Sequence, residues 1–123
     1  MSKVNNKDFL IISKYKSFII NLDNLLDNIP KKDIIYKDRI KSSSIDILKS
    51  IFIIDNSSNI NEINNNYSNI KANISLIDFY LERFLLKRYL SNSNVEKLTV
   101  KLIEINKMSY VWVNNKIKAL NEN

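Results

Sequence analysis

No glycine, no cysteine and no histidine occur in this sequence, and proline and tryptophan occur once each. Without cysteine there is no disulfide framework, no thiolate nucleophile and no cysteine-based zinc site. Without histidine, both the commonest general base and the commonest metal ligand are missing. Without glycine no loop of the P-loop or dinucleotide type can cradle a phosphate. Ser-His-Asp, Cys-His and zinc-hydrolase chemistry are therefore excluded, as is a small helical ribonuclease built on an Arg–His pair. A non-enzyme with neither cofactor nor metal is expected.

Hydrophobic residues make up 45% and charged residues 26% of the 123-residue chain, an ordinary globular balance. The length suits one domain over residues 1–123 with a core of its own. The longest apolar runs, such as Ile51-Phe-Ile-Ile54, are far too short to span a membrane. The N-terminal MSKVNNKDF lacks the apolar run and small-residue cleavage site of a signal peptide. A cytoplasmic protein with no membrane partner is expected.

A glycine-free chain with one proline is poor at tight turns, which favours helices. Phe9, Ile12, Tyr15, Ile19, Leu22 and Leu26 recur at three and four residues, one face of a helix that ends at Asn28-Ile29-Pro30. Pro30 suits the start of a second helix, where its missing N–H costs nothing. That helix carries Ile34, Ile40, Ser44, Ile47, Leu48 and Ile51 and stops near Asp55-Asn56-Ser57-Ser58. A third runs from about Ile60 to Tyr89 on Ile60, Ile63, Tyr67, Ile70, Ile74, Ile77, Leu81 and Phe84. Asn64-Asn65-Asn66 is a weak helix former within it, a place for fraying or a break. Ser91 to Asn94 form a short loop with an N-cap at its end. The fourth helix then bears Val95, Leu98, Leu102, Ile105, Met108, Trp112 and Ile117. The pattern predicts an all-α, antiparallel up-down four-helix bundle. In it Leu98, Ile105, Met108 and Trp112 anchor the core or a subunit interface.

The net charge is +6, and it is unevenly spread. Residues 83–120 hold Arg83, Lys87, Arg88, Lys97, Lys101, Lys107, Lys116 and Lys118 against only Glu96 and Glu104, which accounts for the whole surplus. Lys97, Lys101 and Glu104 share one ridge of the fourth helix with Lys107 close by, and Arg83, Lys87 and Arg88 make a comparable ridge on the third. Two such ridges on neighbouring helices would attract polyphosphate chains through Coulomb attraction and counterion release. The alternative is a solvated, solubilising face. No base-reading motif accompanies the charge, so binding of RNA or DNA would be largely independent of sequence. Lys31, Lys32, Lys37, Arg39 and Lys41 form a secondary basic cluster around the second helix's start, partly neutralised by Asp33 and Asp38. Asp78 and Glu82 stand four residues apart; such a pair is far more often structural than a Mg²⁺ site. Asn114-Asn115 and the six tyrosines could stack on or hydrogen-bond bases. Tyr15, Tyr67 and Tyr89 lie on apolar faces and suit core packing better.

VEKLTVKLIEINKMSYVW, Val95 to Trp112, resembles the last helix of the accessory variability determinant (Avd) family of diversity-generating retroelements. Glu96, Lys97, Leu98, Thr99, Leu102, Glu104, Ile105, Lys107 and Trp112 match that pattern by identity or close similarity, without a gap. Leu90-Ser91, Ile29-Pro30-Lys31 and Arg39-Ile40-Lys41 are similar to family elements upstream. The family's glycines are replaced by Asn106 and by Tyr110-Val111. The resemblance implies a basic, non-catalytic homopentamer of four-helix bundles. It would bind nucleic acid and a retroelement reverse transcriptase and support mutagenic cDNA synthesis. The related ribosomal RNA intervening-sequence proteins share the bundle, and imply a helical interaction or scaffold protein without a reverse-transcriptase partner.

Overall fold

A computed structural model describes the backbone of residues 6–122 and the side chains of residues 10–122. Four helices follow one another: α1 (Asn6–Leu26), α2 (Ile34–Asn56), α3 (Ile60–Leu86) and α4 (Asn92–Asn121), with a 3-10 turn at Lys31–Asp33 leading into α2. Each packs on its sequence neighbours and α4 closes the ring on α1, so the chain is an antiparallel up-down bundle. The α1–α2 and α3–α4 connections lie at one end and the α2–α3 connection at the other. No helix among the described residues is long and apolar enough to cross a membrane.

Local chemistry sets the boundaries. Pro30 is extended (φ −71°, ψ 158°) and turns the chain into the 3-10 segment, so α2 begins four residues later than proline alone suggested. The Asn59 side chain accepts from the Glu62 N–H and caps α3. The Ser91 hydroxyl accepts from the Asn94 N–H and caps α4. The cap expected at the end of the Ser91–Asn94 stretch thus stands at its beginning, and the helix takes in the rest. The helix α3 stops at Leu86, short of Tyr89, because Arg88 adopts a left-handed conformation (φ 62°). The Tyr89 N–H then bonds the Phe84 carbonyl at 2.9 Å and the Arg88 N–H the Leu85 carbonyl at 3.0 Å, the paired bonds of a Schellman motif.

The three asparagines at 64–66 do not break α3. Ile63 and Ile70 on either side of them are fully buried, and packing of an apolar face outweighs the small propensity cost of asparagine. The core runs the length of the bundle through Ile11, Phe18 and Leu22 of α1, Ile47 and Ile51 of α2, Ile77 and Phe84 of α3, and Leu102 and Ile105 of α4. Burying each such side chain is worth about 1.5–3 kcal/mol. Three sequence expectations shift. Ile11 and Phe18 lead the α1 face, while Ile12 and Ile19 are only half-buried. Ile34, placed in the core by spacing, is 53% exposed at the first position of α2. Phe9 has its side chain outside the described residues. Tyr15 is buried and donates its hydroxyl to the Ser44 carbonyl, tying α1 to α2. Burial, with Asp46 adding to it, pushes that phenol well above its ordinary range.

Leu98, Ile105 and Trp112 are buried as expected, and Met108 is half-buried against them. Spacing missed Ser109 and Val113 on the same face. Ser109 is buried because its hydroxyl bonds the Ile105 carbonyl at 2.8 Å, four residues back, which satisfies a polar group inside the core.

Candidate nucleic-acid interface

The eight basic residues of the third and fourth helices do not form two abutting ridges. Arg83 and Lys87 lie on the flank of α3 that faces α2. The Arg83 guanidinium sits 5.1 Å from the Tyr36 ring centroid and the Lys87 ammonium 6.0 Å from it. On α4, by contrast, Glu104 reaches α1, where its carboxylate meets Lys14 at 2.7 Å. Lys107 borders a groove with Leu10 and Ile11, also of α1. Helix phase explains the divergence. Both ridges flank their own buried stripe, but the α3 ridge lies on the side away from α4 and the α4 ridge on the side away from α3. Lys116 and Lys118 stand near the other end of the bundle, roughly 30 Å along α4 from Lys97. Lys116 is engaged within the chain, its ammonium 3.4 Å from the Asp55 carbonyl and 5.6 Å from the Trp112 ring.

The tertiary structure instead joins the ridge of α3 to the cluster that the sequence ranked second. The 3-10 turn sets Asp33 against the turn that follows α3. Its carboxylate accepts from Lys87, at 3.0 Å for the nearer oxygen, and from the Tyr89 hydroxyl in a very short hydrogen bond. Asp33 is 7% exposed, so this is a nearly buried carboxylate fully committed to its donors. The Tyr89 hydroxyl first and Lys87 second, with Lys32 nearby, hold it below the usual carboxylate range against the opposing effect of burial. The same bond raises Tyr89. Lys31, Lys32, Lys87 and Arg88 are thereby gathered at one end, all exposed. Asp33, counted as a neutralising charge from sequence, is bonded to Lys87 and Tyr89 and acts on Lys32 only at longer range, and Lys31, Lys32 and Arg88 make no close ion pair among the described residues. Lys37 and Arg39 follow on the first turns of α2, with Lys41 one turn further.

Arg83 is held differently. Its Nε is buried without an acceptor, and its plane is supported by the Tyr36 ring, which leaves the charge unneutralised by any carboxylate among the described residues. Tyr36 is also 6.3 Å from Tyr80, which is 5.6 Å from Phe79. Sequence reasoning missed this aromatic run, since Tyr36 and Tyr80 belong to different helices. The spacing of Phe79, Arg83 and Lys87, each four residues apart, was the available signal.

On the opposite side, Glu104 is lowered by its bond to Lys14, with Lys101 helping. Both partners are nearly half exposed, so the pair contributes little to stability. On the outward face of α4, Val100, Ile103, Tyr110 and Val111 are each more than half exposed, with Lys107 interleaved among them. Asp78 lies beside Thr99 and Asn106 in a shallow groove between α3 and α4. No group of three or more carboxylates that could hold a metal occurs among the described residues.

No family model and no curated protein matches the sequence. Among solved structures, a crystal structure of a protein of unknown function from the S23 ribosomal protein family of Bacteroides thetaiotaomicron is similar. It has a TM-score of 0.77 over 88% of this chain and 98% of that one, at 17% sequence identity. An identity so low establishes a shared architecture and no more: this chain has the antiparallel four-helix-bundle fold of that S23-family protein.

Proposed function

We propose that this chain is a non-catalytic helical binding protein of the ribosomal RNA intervening-sequence type, which holds nucleic acid, largely without regard to sequence, at its positive end. The observation that carries the reading is the convergence of Lys31, Lys32 and Arg88 beside a network that engages Asp33, the one buried carboxylate among the described residues. Exposed cations with no acid to pair them release counterions when a phosphate chain arrives. The likeness to a protein of the S23 family supports this type of bundle. Self-association belongs to the same proposal, because four large apolar residues, Val100, Ile103, Tyr110 and Val111, stand exposed on the outward face of α4, as at interaction surfaces. A homopentamer is the assembly that the Avd resemblance implies.

A retroelement role, with a reverse transcriptase as partner, is the second reading, and it stands on the α4 pattern. Four of the matching residues, Leu98, Leu102, Ile105 and Trp112, are core positions. Any bundle of this shape needs apolar groups there, so the match reports fold as much as role.

The test is fluorescence anisotropy with labelled RNA across a salt series. Reversing the charge of Lys31, Lys32 and Arg88 together should weaken binding and lower the slope of log affinity against log salt by about 2. An unchanged slope would remove the positive end from the interface. Co-purification of a reverse transcriptase encoded beside this chain would decide the second reading.

A further inference from the structure

We infer that the flank joining α2 and α3 is a stacking site for single-stranded nucleic acid, with Phe79 receiving an unpaired base and Arg83 and Lys87 its phosphates. The inference deepens the nucleic-acid reading above and rests on it.

Phe79 is 50% exposed on the outer edge of α3, with Leu76 one turn before it 44% exposed and Leu86 two turns after it 74% exposed. The rings of Phe79, Tyr80 and Tyr36 form a continuous series, with centroids 5.6 and 6.3 Å apart and planes tilted by 60° and 55°. Tyr80 and Tyr36 are half-buried, so they hold the series in place and leave Phe79 as the ring open to a ligand. Two cations lie over the inner end: Arg83 and Lys87 both approach Tyr36, and Lys87 also stands 6.0 Å from Tyr89.

An exposed aromatic ring one helical turn from Arg83, which no carboxylate among the described residues neutralises, and two turns from the Asp33-paired Lys87, suits a chain that alternates flat bases with phosphates. A duplex offers only its phosphates here, because its bases already stack on one another, so it gains nothing from Phe79. A protein partner fits less well, since lysine is depleted in interface cores where this flank carries Lys87 and runs on to exposed Lys31 and Lys32. The site also continues into Lys31, Lys32 and Arg88, which extends the path for a backbone beyond one nucleotide.

The experiment compares a labelled homopolymeric single strand with a duplex of equal length, using anisotropy on the full chain. Phe79→Ala should lower single-strand affinity about tenfold and leave duplex affinity unchanged. Phe79→Trp should restore binding, with indole fluorescence quenched on addition of the single strand. Equal single-strand affinity of Phe79→Ala and wild type overturns the inference, as does a wild-type preference for duplex, and both outcomes leave general nucleic-acid binding standing. Absence of binding to either form sinks the broader reading as well. A change of assembly state in Phe79→Ala that accounts for the whole loss also overturns the inference, because it places Phe79 between subunits.

Discussion

Arg88 holds a conformation that its residue type resists, and replacing it should separate backbone strain from side-chain function. At φ 62° it occupies the position after a helix where glycine is the favoured residue. A side chain bearing Cβ costs roughly 1–2 kcal/mol in the left-handed region. Glycine avoids that cost but brings extra freedom to the unfolded chain, worth about 0.5–1 kcal/mol against folding. The net gain for Arg88→Gly is therefore about 0.5–1 kcal/mol. A chain of this length unfolds with an entropy of roughly 0.26 kcal/mol per kelvin, so the melting temperature should rise by about 2–4 °C. Arg88→Ala keeps Cβ, loses the same charge and should leave stability within about 0.5 kcal/mol of wild type. Thermal and urea melts followed by circular dichroism at 222 nm would give the three values. Both variants should bind RNA more weakly, since each removes one cation from the positive end. A glycine variant no more stable than the alanine variant would refute the strain argument. Two stabilities that differ with two equal losses of binding would support it, and would explain why a costly residue stands there.

Two further predictions concern stability. Trp112 is 4% exposed beneath Lys116, and Trp112→Ala should cost about 3–5 kcal/mol through lost burial and the cavity left behind; a urea midpoint close to wild type would refute its place in the core. Asp33 is held below its ordinary carboxylate range by Tyr89 and Lys87, so its contribution should be full above pH ~4 and vanish as pH falls through its lower folded value. The gap in urea midpoint between wild type and Asp33→Asn should accordingly narrow as pH falls below ~4, and a gap that does not narrow at all in acid would show that the carboxylate's charge is not what matters.

How much of this was legible in advance differs from element to element. The 3.6-residue spacing of Ile63, Ile70 and Ile77, or of Leu98, Leu102 and Ile105, announces both the helix and its buried face, because one helix turn places those residues side by side whatever they pack against. The helix ends were less legible. Ser91 and Arg88 decide them through a cap and a left-handed residue: the Ser/Asn run signals a cap without saying which residue takes it, and an arginine gives no sign of a left-handed position.

The electrostatic surface was legible in amount but not in arrangement. Composition dictates a basic chain and leaves no residues for histidine, cysteine or glycine-loop chemistry, and the spacing of apolar residues adds the all-helical class. Those follow from residue identities and from contacts a few positions apart. Which basic residues share a surface depends on how four helices are rotated about their axes, and on which turn meets which. Only the tertiary structure sets Asp33 against Lys87 and Tyr89 across more than fifty residues. It turns the α4 ridge towards α1 and brings Tyr36 under Arg83. The packing of apolar faces fixes those rotations, and the charges are carried to wherever that packing leaves them.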